Sequence, residues 1–355
     1  MKGEKVSKRI ALTVISIFAL INLSAASVEI SDFFSDFTSS DATVNSSQDL
    51  EGKAVFELFS DGNIVESHDV PLKIKAGESV YKVILWEQKP QKDYYTAKVN
   101  VYDNNKLLVS RSYQVSYGTV ALPNFHVVDF SPTNSGVQLL LRPFNPGAAD
   151  IRIELLDNND IVYTKTKEDM SLTTVSEIKL SWPFLLINNK NYIVRAKIYT
   201  HRLYASPLIN TYIAYFKASQ DVEILPDDVE VDEYGASVTI RGKSQVPFDG
   251  FITVNARNRE TNEILTYRQK MEEILVSGKE DTTGVVWRGL VSGTYDVEIT
   301  AITQDNVTVD KYETVLRIPE SPMPATTTPV NKTPGFDHII FSLMLIFAAW
   351  RAKGA

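Results

Sequence analysis

Most of the chain alternates hydrophobic and polar residues with a period of two, the pattern of half-buried β-strands. In residues 54–59 and 151–156 this alternation runs into a polar turn and then into a second short apolar run. The two turns are Ser60-Asp61-Gly62-Asn63 and Asp157-Asn158-Asn159-Asp160. Hairpins of this kind predict antiparallel sheets with one face in a core and the other in water.

A Trp followed by a Tyr marks three equivalent places along the chain. In each pair the Trp precedes the Tyr by 8 to 10 residues, and the Tyr opens an alternating strand. The pairs are Trp86 with Tyr95, Trp182 with Tyr192, and Trp287 with Tyr295; the glycines before the corresponding hairpins are Gly52, Gly147 and Gly250. Successive Tyr positions lie 97 and 103 residues apart, which is the size of one immunoglobulin-like sandwich.

The repeated aromatic residues are predicted to lie in the cores. A Tyr at the start of such a strand packs its ring inside the sandwich and bonds its hydroxyl back to the chain, while the Trp fills the space between the sheets. The alternative is an exposed aromatic platform that binds sugars. Three equivalent positions in three repeats favour the core.

The repeat predicts an all-β fold of three tandem immunoglobulin-like β-sandwich domains. They span residues 27–120, 121–219 and 220–318, between a signal-peptide helix in residues 1–26 and a short C-terminal hydrophobic helix in residues 335–355. Residues 319–334 are rich in Pro and Thr and are predicted to form an extended stalk. Because the seams are short, we expect the sandwiches to form a semi-rigid rod.

The N-terminus has the three parts of a secretory signal peptide. A basic stretch ends at Arg9, an apolar stretch covers residues 10–23, and small residues lead up to Ala26. Cleavage is predicted between Ala26 and Ser27, so the mature chain is exported. The alternative is a signal anchor that stays in the membrane.

The C-terminus combines a Thr/Pro spacer, the tripeptide Pro334-Gly335-Phe336, an apolar run in residues 339–350 and a basic end. A helix of these 12 residues would cover about 18 Å, too short for a bilayer core of about 30 Å. The arrangement resembles the PGF-CTERM sorting signal of archaeal cell-surface proteins. The resemblance implies cleavage by an archaeosortase-type enzyme near Pro334, Gly335 and Phe336, followed by attachment of the new C-terminus to a membrane lipid.

Part of the tail departs from that pattern. Asp337 and His338 interrupt the apolar segment. The alternative is an ordinary C-terminal membrane anchor, with Arg351 and Lys353 held on the inner side. Both interpretations place this end of the chain at a membrane.

The sandwich pattern itself resembles the CARDB-type and fibronectin-III-like modules that occur in tandem on archaeal surface proteins. The resemblance covers residues 28 to about 318. It implies the fold and says little about activity, because sandwich folds carry many functions.

The composition fits an exported protein without disulfides. The chain of 355 residues has no cysteine, so its stability has to come from packed cores. The formal charge of −8 becomes −12 without the predicted signal peptide and tail, whose net charges are +3 and +1. A mature chain this acidic argues against nucleic acid as a partner.

The sequence predicts no catalytic residue, no metal site and no cofactor, and therefore no enzyme. The four histidines are isolated from one another, and no nucleophile elbow or phosphate loop is found. Acidic residues cluster in residues 227–233 and 157–160, where calcium could find oxygen ligands. A solvated edge or turn is the simpler interpretation of both stretches.

Three sequons for N-glycosylation follow the Asn-x-Ser/Thr rule, at Asn45, Asn306 and Asn331. Asn331 lies in the predicted stalk, and Asn45 lies among Ser and Gln residues and is expected in a loop. The alternative is that all three are ordinary polar loop residues.

Together these features predict a non-catalytic protein on the outer face of the cell membrane, anchored at its C-terminus. Its expected role is structural or adhesive, in or under an S-layer-type envelope with other envelope proteins as partners. The alternative is an extracellular module that binds polysaccharide or a partner protein for a surface enzyme or transporter.

A binding module predicts a groove or an exposed aromatic cluster on one domain only. Domain two is the candidate, because its end concentrates Tyr199, His201, Tyr204, Tyr212 and Tyr215.

Overall fold

The computed structural model describes residues 27–91, 94–117 and 122–320. All regular structure in these residues is β, which confirms the predicted fold class. Within the same residues, no helix is long and apolar enough to cross a membrane. The two predicted terminal helices, most of the stalk, the Pro-Gly-Phe signal, Ala26 and Asn331 lie outside the described residues.

The strands fall into three groups of seven along the described chain. The first group is β1 (Val28–Ser35), β2 (Ser39–Ser46), β3 (Leu50–Ser60), β4 (Asn63–Ile74), β5 (Ser79–Leu85), β6 (Tyr94–Asp103) and β7 (Lys106–Ser116). The second is β8 (Phe125–Pro132), β9 (Gly136–Pro143), β10 (Gly147–Asp157), β11 (Asp160–Leu172), β12 (Ser176–Ser181), β13 (Asn191–Arg202) and β14 (Ala205–Lys217). The third is β15 (Val222–Val231), β16 (Gly235–Gly242), β17 (Phe251–Asn258), β18 (Ile264–Lys270), β19 (Glu280–Val286), β20 (Gly293–Ile302) and β21 (Thr308–Ile318).

Each group forms a sandwich of a three-stranded and a four-stranded antiparallel sheet. In the first sandwich the strand orders are β1-β2-β5 and β4-β3-β6-β7. The second has β12-β9-β8 and β11-β10-β13-β14, and the third has β15-β16-β19 and β18-β17-β20-β21. Equivalent strands thus occupy equivalent places, and each sandwich encloses its own hydrophobic cluster.

The hairpin turns follow their sequence signals. The β3–β4 turn uses two residues, Asp61 and Gly62, both with positive φ, as tight two-residue hairpins require. The β10–β11 turn places Asn158 at φ 55°, and Asn tolerates this conformation better than most residues. The third equivalent turn, from β17 to β18, is longer and covers residues 259–263.

The repeated aromatic residues lie in the cores, as predicted. Trp86, Trp182 and Trp287 are buried, and each indole N–H donates a hydrogen bond near the first turn of its sandwich. The acceptors are Ser35 Oγ at 3.0 Å, the Thr133 carbonyl at 2.9 Å and the Glu233 carbonyl at 3.0 Å. Because the indoles are enclosed, the sugar-platform alternative is wrong for these residues.

The three buried Tyr residues bond back to the chain just upstream, also as predicted. Tyr95 Oη accepts from the Gln91 N–H at 2.8 Å, and Tyr192 Oη accepts from the Ile187 N–H at 3.3 Å. Tyr295 Oη donates to the Val291 carbonyl at 3.1 Å. Each bond ties the loop before the strand to the core.

The first two sandwiches are joined by backbone pairing between a strand of one and a strand of the other. One residue pair, Lys82 on β5 with Asp160 on β11, links their sheets into a seven-stranded sheet of order β1-β2-β5-β11-β10-β13-β14. Asn159 continues this joint, because its backbone carbonyl and its side-chain amide both bond to the backbone of Val83. The 157–160 turn, predicted to be a solvated turn, is therefore a contact between sandwiches.

The second and third sandwiches meet through loops. Val246, before β17, is buried in the hydrophobic cluster of the second sandwich. The backbone N–H of Leu186 donates to the Gln245 carbonyl at 2.9 Å, and the N–H of Gln245 donates to the Asn134 carbonyl at 2.9 Å. A side chain of the third sandwich thus completes the core of the second.

Candidate functional site

A cluster of buried charges lies between the first and second sandwiches. Asp41 on β2, Glu154 on β10, and Arg195 and Lys197 on β13 are all buried. Strand alternation places these side chains on the outer faces of their sheets, which would be solvated in an isolated sandwich. Here the two faces cover each other, and the four charges balance.

Arg195 is the centre of this buried charge cluster. Its Nη1 lies 2.9 Å from Asp41 Oδ2, and its Nε lies 2.6 Å from Glu154 Oε2. Its Nη2 donates to Tyr81 Oη at 2.8 Å. One guanidinium group therefore joins β2 and β5 of the first sandwich to β10 of the second, using the planar donor geometry that suits Arg to buried pairs.

Lys197 completes the pairing of Asp41. Its Nζ donates to both carboxylate oxygens, at 3.0 and 2.9 Å, and lies 4.3 Å from the centre of the Phe34 ring. A buried ammonium without such partners would cost several kcal/mol. The aromatic face adds a further attraction.

The pKa directions follow from this geometry. Burial opposes the charge on Asp41, but Arg195 and then Lys197 outweigh it and hold the pKa of Asp41 below its usual value. Burial likewise opposes the charge on Arg195, and Asp41 and Glu154 raise the pKa of Arg195 above its usual value. Burial is also the main reason that the pKa of Tyr81 is raised. Asp41 and Arg195 are therefore both ionised at neutral pH.

Asp36 forms a second polar contact across the same interface. It accepts hydrogen bonds from the backbone N–H of Thr211 on β14 at 2.8 Å and from the Thr211 hydroxyl at 2.7 Å. The backbone N–H groups of Thr38 and Ser39 also donate to it. Loss of solvent outweighs these bonds, and the pKa of Asp36 is raised.

The β13–β14 turn projects a hydrophobic tip from the second sandwich. Leu203 is 87 % exposed and Tyr204 is fully exposed. Tyr204 has a φ of 59°, a region that favours Gly and Asn. The equivalent turns are polar, with Asn104 and Asn105 in the first sandwich and residues 303–307 in the third.

His201, at the root of this tip, lies between two carboxylates. Its Nε2 is 3.1 Å from Asp150 Oδ2, and its Nδ1 is 3.6 Å from Asp169 Oδ1. The Asp169 N–H bonds to Asp150, and this bond is the main reason that the pKa of Asp150 is lowered. A protonated imidazole pairs with both carboxylates, and a neutral one could offer one nitrogen beside two carboxylate oxygens to a divalent cation.

Sequence reasoning treated every histidine as isolated and missed this trio. The three residues come from β10, β11 and β13, and they meet because these strands are neighbours in one sheet. A bulge between Ala149 and Ile151 brings Asp169 alongside Asp150. Nothing in the linear spacing indicates this contact.

The predicted tyrosine concentration in the second sandwich divides into two groups. Tyr204 and Tyr215 are exposed, whereas Tyr199 and Tyr212 are half-buried. Tyr212 packs on Phe125, with ring centres 6.0 Å apart, and burial raises its pKa to about 12. Phe125 and Tyr212 belong to an apolar cleft of about 630 Å³ that Leu122 and Phe144 also line.

The other acidic stretch lies along an edge. Residues 227–233 cover the end of β15 and the following turn, and all but Val229, Val231 and Glu233 are exposed. Asp232 accepts hydrogen bonds from the backbone N–H groups of Tyr234 and Gly235, which closes the turn. Within the described residues this stretch forms no ligand cluster.

Comparisons with known proteins give no family. No protein-family model and no curated protein matches the chain. Among solved structures, a tetra-tandem repeat from the extending region of a large adhesion protein is 14 % identical over 82 % of this chain and 74 % of that one, with a TM-score of 0.24.

Two further structures match over larger proteins. Escherichia coli alpha-2-macroglobulin is 8 % identical over 83 % of this chain and 22 % of that one, with a TM-score of 0.22. Latent PorU from Porphyromonas gingivalis is 11 % identical over 84 % of this chain and 34 % of that one, with a TM-score of 0.21. At these TM-scores, none of the three similarities supports a functional argument.

Proposed function

We propose that this chain is a non-catalytic cell-surface protein that acts as a structural or adhesive module in or under an S-layer-type envelope. In this proposal it is exported by its signal peptide and held at the membrane through its C-terminal tail. An archaeosortase-type enzyme cuts near Pro334, Gly335 and Phe336, and a lipid replaces the tail. Envelope proteins are its partners, and nucleic acid is not.

The observation that carries the adhesive role is the hydrophobic tip of the second sandwich. Leu203 and Tyr204 are exposed on a two-residue turn, where a polar pair such as Asn104-Asn105 would serve folding better. Exposed aromatic residues of this kind are typical anchors of protein interfaces. The buried charge cluster and Val246 support the same role, because they hold the sandwich that bears the tip between its two neighbours.

A binding measurement with isolated envelope tests the adhesive role. The full chain is purified and sedimented with cell envelope from its own source, beside a variant with Leu203→Asn and Tyr204→Gly. We expect the variant to lose at least tenfold in apparent affinity, because the two side chains that would be buried are gone. Val286→Asn is the control, since Val286 is also highly exposed but lies in the third sandwich. Equal binding by all three proteins would disprove the role of the tip.

Intact mass spectrometry of the protein from its native membrane tests the anchoring. A chain that begins at Ser27 and ends near Pro334 with a lipid adduct is the expected result. A mass that still includes residues 335–355 would instead identify an ordinary membrane anchor.

The second candidate function is a ligand-binding module, and the apolar cleft of the second sandwich favours it. A cleft of about 630 Å³ lined by Leu122, Phe125, Phe144 and Tyr212 is within the size range of small-ligand sites. Titration of the full chain with envelope polysaccharide, followed by calorimetry, tests this function. Phe144→Ser should abolish the heat of binding if the cleft is the site, and an unchanged heat would exclude the cleft.

A further inference from the structure

The structure separates the two described glycosylation sequons by their accessibility. Asn306 lies in the turn between β20 and β21, with a φ of 60°. The whole stretch 304–308 is exposed, including Val307 and Thr308 of the sequon. Residues 304–307 connect the two strands and lie outside them, and a bulky glycan can be accommodated at such a position.

Asn45 is expected from the sequence to lie in a loop, but it lies within a strand, where the alternating pattern continues through the polar residues. It is half-buried on β2, the middle strand of its sheet, and is paired with Glu29 on β1 and Ser79 on β5. The next residue, Ser46, is buried. An enzyme could engage this sequon only if both strand pairings were broken.

The turn of Asn306 borders a polar groove between the second and third sandwiches. The neighbours Asp305 and Val307 both line this groove, whose volume is about 390 Å³. Asn188 and Asn189 of the second sandwich and Asp221 of the third also line it. Amide and carboxylate groups in this arrangement are suitable hydrogen-bond partners for sugar hydroxyls.

We propose that Asn306 carries an N-linked glycan whose first sugars lie over this groove, and that Asn45 stays unmodified. In the transfer, the Asn306 amide nitrogen forms a bond to the sugar C1 and loses a proton. The bond from C1 to the phosphate of a lipid-linked sugar donor breaks, and the lipid phosphate leaves with the electron pair. The modification depends on the export that the proposed function includes.

Peptide mass spectrometry of the full chain from its native membrane tests the proposal. Tryptic cleavage isolates Asn306 in residues 289–311 and Asn45 in residues 27–53. We expect a glycan mass on the first peptide and the bare mass on the second. An unmodified 289–311 peptide, or a glycan on Asn45, would overturn the inference.

Variants of the sequon test whether the modification depends on the Asn-x-Ser/Thr sequence at Asn306. Asn306→Gln and Thr308→Val should both remove the glycan mass, whereas Thr308→Ser should keep it because the hydroxyl is retained. Asn45→Gln is the matched control and should leave the mass of the 289–311 peptide unchanged. Loss of the glycan in Thr308→Ser as well would contradict recognition of the sequon.

The position of the sugars is tested by hydrogen exchange. Backbone amides at Asn188, Asn189 and Asp221 should exchange more slowly in the modified chain than in Asn306→Gln. Equal rates would show that the glycan points away from the groove.

The same sample separates failure of this inference from failure of the proposed function. A chain that begins at Ser27, is found in the envelope and has a bare 289–311 peptide contradicts the glycan alone. A chain that keeps its N-terminus and stays inside the cell contradicts export, and the glycan with it.

Discussion

At the residue scale, the glycines that recur before the three hairpins do not all have the same packing role. Gly52 lies on β3 and Gly250 lies just before β17. A Cβ at these positions would lie 2.1 Å from the carbonyl oxygens of Tyr102 and Ile302, respectively. Gly147 is the matching glycine in sequence, yet a Cβ would meet nothing within 4 Å. The shared glycine therefore has a packing reason in two repeats and not in the third.

This difference gives a paired prediction. Gly250→Ala should lower the free energy of unfolding by about 2 kcal/mol, since overpacking against fixed backbone costs about 1–3 kcal/mol. Gly147→Ala should change it by less than about 1 kcal/mol and in the stabilising direction, because the unfolded chain loses freedom. Urea denaturation of the full chain measures both. Equal losses in the two variants would contradict the contact at Ile302.

Asp41 provides the second prediction at this scale. Asp41→Asn leaves Arg195 and Lys197 buried with one carboxylate between them, and breaking a buried pair in this way costs about 3–5 kcal/mol. Chemical denaturation should show a loss of that size. Asp69→Asn is the control: its pair with Lys53 is exposed, and such pairs contribute about 1 kcal/mol or less.

A compensating variant checks the charge argument. Asp41→Asn combined with Lys197→Met restores the balance of buried charge and should recover part of the lost stability. A double variant as unstable as Asp41→Asn alone would mean that packing, and not charge, determines the loss.

At the element scale, two equivalent hairpin turns differ in how well their residues suit a tight turn. The β6–β7 turn has Asn104 and Asn105 at positive φ, which is the favoured chemistry for a tight hairpin. The β13–β14 turn has the same length but carries Leu203 and Tyr204, with the Tyr at positive φ. A non-Gly residue held there costs about 1–3 kcal/mol.

Substitutions in the two turns test this cost. Leu203→Asn with Tyr204→Gly should raise the melting temperature, because the strain is relieved and both original side chains are exposed. The reverse change, Asn104→Leu with Asn105→Tyr, should lower it. Scanning calorimetry measures both, and a lower melting temperature for the first variant would mean that the tip contributes to folding.

At the scale of the whole molecule, the sandwiches are joined by more than their linkers. The outer faces of the first two cover each other and bury balanced charges, and Val246 of the third lies in the core of the second. The predicted series of separate sandwiches on short seams did not include either contact. Their effect is that unfolding of one sandwich exposes surface on its neighbour.

The interface also makes stability depend on pH in a defined direction. The folded-state pKa of Asp36 is raised, so the folded chain binds a proton there more tightly than the unfolded chain. Stability from this group therefore increases as the pH falls through the raised pKa and decreases as the pH rises. The unfolding free energy of the wild type relative to Asp36→Asn should accordingly increase as the pH is lowered from neutral towards about 4.

Asp49 is the control with the opposite sign. The N–H of Ala76 and then Lys75 lower its pKa, so its contribution is present above the unfolded pKa and is lost as the pH falls through the folded one. The wild type relative to Asp49→Asn should lose stability on acidification. Denaturation curves across the pH range give the unfolding free energy of the wild type relative to each variant. If this difference changed with pH in the same direction for both variants, the burial of Asp36 would be contradicted.

The sequence by itself determined the β fold, the repeat and the cores. Period-two alternation specifies which side chains are inside, and the Trp and Tyr residues recur at the spacing of one sandwich, so their burial could be predicted. Turn residues such as Asp61-Gly62 likewise indicate their hairpins, because few residues accept positive φ. All of these are local properties of the chain.

Only the tertiary structure decided what the outward-facing polar residues do. Alternation places Asp41, Arg195 and Lys197 on outer faces, and it cannot tell that a neighbouring sandwich covers them. It also cannot tell that His201 meets Asp150 and Asp169, or that Asn45 is enclosed while Asn306 lies outside the strands. These outcomes depend on strand order, on a bulge and on the docking of one domain on another, which are contacts between residues far apart in sequence.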